Sequence, residues 1–317
     1  MISGIHHITA LASDPQRNLD FYRGVLGFRL VKRTVNFDAP DVYHFYYGDE
    51  TGEPGTILTF FPFVNAARGK RGAGEISAVA FSIPRGSLEY WVGRLSSNGI
   101  HLDGPSERFG NNVIAFEDPD GLMIELVVSD TPSSYRHWAG SPVPQEFAIR
   151  RIHSTTLVLG AKDATDRFLI HSLGFQFVAQ SGNRYRYKIG DNESEASLDL
   201  LVNPDLPYAR QSAGSVHHIA WSTSDVASQQ VWRQSIADAG IPVTQILDRS
   251  YFHSIYFREP GGVLFEIATD QPGFRIDEGL EHLGTHLKLP AWLEDQREKI
   301  ERALPPITVR RNRRFGV

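Results

Sequence analysis

Residues 5–11 form a mostly apolar run of strand length that gives way at Asp14-Pro15 to helix start signals, an acidic cap followed by proline at the first helical position. This helix stops at Leu26-Gly27-Phe28, and alternating apolar and polar positions follow, as half-buried strands require. The same order returns at 151–159, with a helix from about Asp163 ending at Leu173-Gly174-Phe175 and strand patterns at Tyr185-Arg186-Tyr187 and Leu198-Asp199-Leu200. A second kind of unit lies between the two. It runs from an apolar strand at 77–83, through a helix over 87–97 that stops at Gly99-Ile100, to the hairpin Phe116-Glu117-Asp118-Pro119-Asp120-Gly121 leading into 122–128. Its copy is the strand at 216–222, a helix over 225–239 stopping at Gly240-Ile241, and Phe257-Arg258-Glu259-Pro260-Gly261-Gly262 leading into 263–268.

The chain is therefore an A-B-A-B repeat of four βαβββ modules, an α+β architecture. Each module is too small to bury one face of its sheet alone, so modules must pair into half-barrel sheets with a shared core. The proline-rich stretch Ser141-Pro142-Val143-Pro144 divides an N-terminal pair of modules, 1–145, from a C-terminal pair, 146–317, whose tail carries a short helix near 290–303.

Composition narrows the chemistry. The chain has 317 residues, 41% hydrophobic and 22% charged, with a formal net charge of -5, so no surplus of basic residues is available to cover a nucleic-acid backbone. No apolar run approaches the roughly 20 residues of a membrane span, and the opening Met-Ile-Ser-Gly-Ile-His-His lacks the features of a secretion signal, which together point to a cytoplasmic protein. A homo-oligomer is compatible with all of this. With no cysteine in the chain, there are no disulfides, thiolate metal sites or cysteine nucleophiles.

Among 12 histidines, His44 and the others outside the repeat take the ordinary reading of surface or hydrogen-bonded residues. The repeat singles out two pairs, His6-His7 opening the first unit and His217-His218 opening the fourth. Glu266, in the otherwise apolar strand Leu264-Phe265-Glu266-Ile267, is a buried charge that is costly unless paired or bound to a metal. His7, His218 and Glu266 on three neighbouring strands match a facial triad with open positions, the ligand set of non-haem Fe(II) oxygen chemistry. In the repeat, His7 falls on His153, His218 on Ala78 and Glu266 on Glu125, which leaves the second set a ligand short and predicts it to be without metal. A complete triad requires unit one to pair with unit four, and two with three.

Ile5-His6-His7-Ile8-Thr9, the helix end from Phe21-Tyr22-Arg23 to Leu26-Gly27-Phe28, and the hairpin before Glu266 resemble the vicinal oxygen chelate superfamily of glyoxalases, bleomycin-resistance proteins and extradiol dioxygenases. The double histidines together with the 254–262 segment resemble its hydroquinone-type ring-cleaving dioxygenases, over nearly the whole chain. The resemblance implies Fe(II), with Mn(II) suiting the same ligands, held by His7, His218 and Glu266. It also implies His6, Thr9, His217, Arg249 and Tyr256 around a small aromatic diol and O2. Thr9 shares the strand face of His7. Alternation points His6 and His217 away from it, so a role for either at the site requires a bulge. Phe252, Tyr256 and Trp221 suit a flat substrate. Rival readings within the fold are a glyoxalase-type isomerase or thiol transferase, which surrounds its metal with four protein ligands, and a resistance protein that sequesters a small molecule.

Overall fold

The computed structural model describes residues 1–129, 135–190 and 195–309. Unit one contains β1 (Ile5–Ala12), α1 (Pro15–Leu19, continued as a π-helical stretch Asp20–Val25), β2 (Arg29–Asn36), β3 (Ala39–Gly48) and β4 (Ile57–Pro62). Unit two contains β5 (Glu75–Ile83), α2 (Leu88–Ser97), β6 (Asp103–Arg108), β7 (Asn111–Glu117) and β8 (Met123–Val128). Unit three contains β9 (Ile152–Leu159), α3 (Asp163–His171), β10 (Gln176–Ser181), β11 (Arg184–Ile189) and β12 (Ala196–Val202). Unit four contains β13 (Val216–Thr223), α4 (Val226–Asp238), β14 (Leu247–Asp248), β15 (Phe252–Arg258) and β16 (Leu264–Pro272).

These strands form two eight-stranded sheets, β14-β15-β16-β13-β1-β4-β3-β2 and β10-β11-β12-β9-β5-β8-β7-β6. The first joins units one and four through antiparallel β1 and β13, and the second joins units two and three through antiparallel β5 and β9. This is the pairing that the divided triad demands, and it gives the two half-barrels of the vicinal oxygen chelate fold. Local signals act as expected at the helix starts: Asp14 accepts from the Arg17 amide at 2.8 Å ahead of Pro15, and Asp225 accepts from the Ser228 amide at 2.7 Å. Gly27 and Gly174 end their helices at φ of +81° and +82°, a conformation that glycine adopts without penalty.

Alternate residues of the central strands, Ile8, Ile219, Ile255, Phe265 and Ile267, are fully buried on the convex face and share one apolar core with the helices. Trp221 belongs to this face, packed on Phe175 and Phe265, and does not reach the concave side where a substrate was expected to meet it. Alternation explains the difference, because Trp221 adjoins Ala220, which faces the cup. Aromatic contacts such as Phe28 on Phe81 and Phe168 on Phe257 tie consecutive units across the core. The tail, which includes α5 (Arg297–Ala303), closes the β2 edge. There Lys32, wholly buried, meets Asp277 at 2.5 Å and Glu278 at 2.6 Å, so its charge is compensated.

Candidate metal centre

The register of the central strands brings the three expected ligands together. His7 lies opposite Ala220, which lies beside Glu266, and His218 lies opposite Thr9, so all share the concave face of the first sheet. His218 Nε2 is 2.9 Å and His7 Nε2 3.5 Å from Glu266 Oε2, and the two imidazole nitrogens are 3.3 Å apart. All three side chains are buried. Burial alone would raise the Glu266 carboxyl, but His7 and His218 overcome it and hold the group well below the usual carboxylate range. Burial lowers His218 despite the opposing Glu266, leaving a neutral imidazole. Glu266 Oε1 accepts from Ser254 Oγ at 2.5 Å, whereas Oε2 is buried with no hydrogen bond of acceptable geometry. An orphaned anionic oxygen with two imidazole nitrogens converging on it at 2.9 and 3.5 Å fits a divalent cation.

Glu266 is aimed by the turn before it. Buried Glu259 accepts from the amides of Gly261 and Val263 and from Thr165 Oγ1 of α3, pinning the hairpin to the helix of the preceding unit. Asp118 does the same for the equivalent hairpin of unit two, accepting from the amides of Asp120 and Leu122 and from Tyr22.

The double histidines are resolved by bulges. The β1–β13 ladder slips between Ile5 and His7 on one strand and between His218 and Val216 on the other, so His6 and His217 are the extra residues. Each lies beside a candidate ligand: His6 Nδ1 is 2.9 Å from His7 Nδ1, and His217 Nδ1 is 2.8 Å from His218 Nδ1. Burial, then the adjacent histidine, pulls both bulge histidines down to about 3, so they are neutral near pH 7. With the Nδ1 atoms mutually engaged, the Nε2 atoms of His7 and His218 are the ring positions turned toward Glu266 Oε2, where a cation would sit. The two bulge residues differ in surroundings. His6 is buried against Phe252, while His217 lines the cavity in front of the triad.

That cavity is about 710 Å³ and has apolar walls that include Phe61, Phe63 and Phe252. Thr9, Arg249 and Tyr256 also line it. Arg249 lies over the Tyr256 ring at 5.4 Å and meets the exposed Asp38 at 3.3 Å, while its Nε is buried without a hydrogen bond. Its remaining donors suit an anion. Burial and the nearby Glu266 raise the Tyr256 phenol, so it stays protonated. Sequence reasoning missed His44 and Thr59, which both face the cup. His44 Nε2 is 2.8 Å from Thr59 Oγ1, which donates to Thr9 Oγ1 at 2.9 Å. His44 shares its strand parity with Tyr46, another residue of the cavity wall, but that wall exists only once the sheet has formed.

In the second sheet the strand registers correct the repeat alignment by one residue. The bulge between Ile152 and Ser154 makes His153 the counterpart of His6, and Ser154 that of His7. Unit one has two adjacent histidines where unit three has one, so residue type alone does not show which of the two His153 matches. Ser154, Ala78 and Glu125 therefore occupy the triad positions, and Glu125 is bound by Arg108 at 2.6 Å.

The Glyoxalase/Bleomycin resistance protein/Dioxygenase superfamily profile matches residues 4–126 and 151–267. The chain belongs to this superfamily. Superfamily relatives span its whole length. MhqO of Bacillus subtilis (strain 168), provisionally named a ring-cleaving dioxygenase, is 42% identical over 97% of both chains. The chlorohydroquinone/hydroquinone 1,2-dioxygenase of Sphingobium indicum is 37% identical over 97% of this chain and 98% of its own. A crystal structure from Bacillus subtilis, provisionally a dioxygenase, superposes with a TM-score of 0.93 at 42% identity, covering 98% of each chain. Glyoxalase I of Zea mays, at 16% identity and a TM-score of 0.65 over 89% of this chain and 97% of its own, shares the fold.

Proposed function

We propose that the protein is an Fe(II)-dependent dioxygenase that cleaves the ring of an aromatic diol, a para-hydroquinone, with O2. The observation carrying this reading is the buried Glu266 Oε2, orphaned between His7 and His218 at the floor of an aromatic-walled cavity. The relative named as a hydroquinone 1,2-dioxygenase supports the substrate class. Fe(II), if held by His7, His218 and Glu266, would supply Lewis acidity toward a ring oxygen and a path for electrons to O2.

The chain's own residues do the rest. If His218 Nε2 faces the metal, His218 Nδ1 carries the proton and donates to His217 Nδ1, which leaves His217 with an Nε2 proton. Both that N–H and the Tyr256 hydroxyl can donate to the substrate oxygen as it loses its proton and gains charge. Arg249 holds the anionic ring or the opened acid with the donors that its pairing with Asp38 leaves over. Phe61 and Phe252 flank the ring and exclude water.

A four-ligand glyoxalase-type site is disfavoured by one position. The local two-fold relating β1 to β13 carries His7 onto His218 and Glu266 onto Thr59, so a second carboxylate would belong where this chain has threonine. Anaerobic purification with metal analysis, followed by O2 uptake on adding hydroquinone, tests the proposal in the wild type and in Glu266→Ala. Near-stoichiometric iron, with uptake lost in the variant, is expected. Mn in place of iron would correct the metal, and a metal-free protein or one indifferent to O2 would sink the reading.

A further inference from the structure

The same two-fold exposes a feature of the cup that the triad leaves unexplained. It carries Ser254 onto His44 and Glu266 onto Thr59, so the His44–Thr59 hydrogen bond is the counterpart of the one from Ser254 to Glu266. One side of the cup thus has a serine hydroxyl supporting a carboxylate, and the other an imidazole bonded to a threonine hydroxyl in the carboxylate's place. His44 lines the cavity, is 8% exposed, and is held between Tyr46 and Phe61 with ring centroids at 4.0 and 4.2 Å.

The tautomer of His44 follows from its partners. Thr59 has one hydroxyl hydrogen and gives it to Thr9 Oγ1, so Thr59 Oγ1 must accept from His44, and His44 Nε2 carries the ring proton. Burial lowers His44 well below the usual histidine range and keeps it neutral. Nδ1 is then a bare acceptor. His44 lies on β3, separated by β4 from the β1 strand of His7, and the strand registers set it farther along the sheet than His7, beyond the level of Thr9. A para-diol carries its two oxygens on opposite edges of the ring, so one can meet the triad and the other His44, whereas a 1,2-diol carries both on one edge.

Resting on the dioxygenase reading above, we propose that His44 is the residue that selects a para-diol, its Nδ1 accepting the hydrogen bond of the hydroxyl opposite the metal-held oxygen. Thr59 and Thr9 act as positioning residues that keep Nδ1 free of a proton. A site built to accept from a hydroxyl rejects an analogue lacking it, since the acceptor is otherwise left buried and unpaired.

The test is anaerobic calorimetric binding of hydroquinone and of phenol to protein loaded with Zn(II), which does no redox chemistry. The wild type should prefer hydroquinone by about tenfold or more. In His44→Phe, which keeps a ring of similar size, the preference should fall to near unity, with phenol affinity and Zn(II) content unchanged. In Thr59→Val, which leaves the imidazole in place, it should fall part of the way. A preference retained in both variants overturns the role of His44 while leaving the dioxygenase reading intact. Binding of neither ligand by the wild type overturns both.

Discussion

On the concave face of the first sheet, the bulged strand openings present His7 and His218 toward Glu266; on that of the second, bulges at matching positions present Ser154 and Ala78 toward Glu125. The hydrogen bond within the bulge also persists, with His153 Nδ1 at 3.0 Å from Ser154 Oγ where His6 meets His7. Bulges, register and turn anchors therefore belong to the way two modules join, whether or not a metal-binding set is present. Side chains decide the rest. Without imidazoles at the triad positions, the second face compensates its carboxylates with guanidinium groups: Arg108 on Glu125, and Arg184 and Arg186 on the buried Asp199. A buried carboxylate is costly without compensation, which the second face supplies with arginine.

The contrast is sharpest in the two glutamates. Glu266→Ala should abolish metal retention and O2 uptake, whereas Glu125→Ala should leave both intact and cost about 1–3 kcal/mol of stability by leaving Arg108 unpaired, read by metal analysis and thermal unfolding. Metal loss in Glu125→Ala would place the centre in the wrong sheet.

A second prediction rebuilds the missing centre. Ala78→His with Ser154→His and Arg108→Ala restores two imidazoles to Glu125 and removes its competitor. Metal content should double relative to the wild type in a folded variant. No gain would mean that more than ligand identity separates the two faces.

The smallest effect concerns the bulges. His217→Leu should weaken metal affinity by about 10–100-fold, the usual consequence of losing the group that orients a ligating histidine. His153→Leu removes the matching residue of the second face and should leave affinity unchanged. Equal effects would break the assignment of the centre to the first sheet.

Much of this was legible in the chain. The four modules, the helix caps at Asp14 and Asp225 and the glycine stops follow from local chemistry, which acts over a few residues and leaves a periodic trace. The pairing of unit one with unit four could be inferred because three rare ligands had to meet. His6 and His217 could not be placed, since strict alternation turns them away and only the joined β1–β13 ladder shows the slip that brings each beside a candidate ligand. His44 was passed over for a related reason. Its partner Thr59 is on another strand, and neither residue is unusual until the sheet sets them 2.8 Å apart.

The amino-acid sequence by itself determined the repeat, the element order and the three residues able to hold a metal, because these depend on residue type and spacing along the chain. Only the tertiary structure decided which residues are bulged, which carboxylate meets an arginine, and which histidine faces the cavity, because each depends on cross-strand register. A one-residue slip there turns a side chain to the opposite face without changing any local propensity.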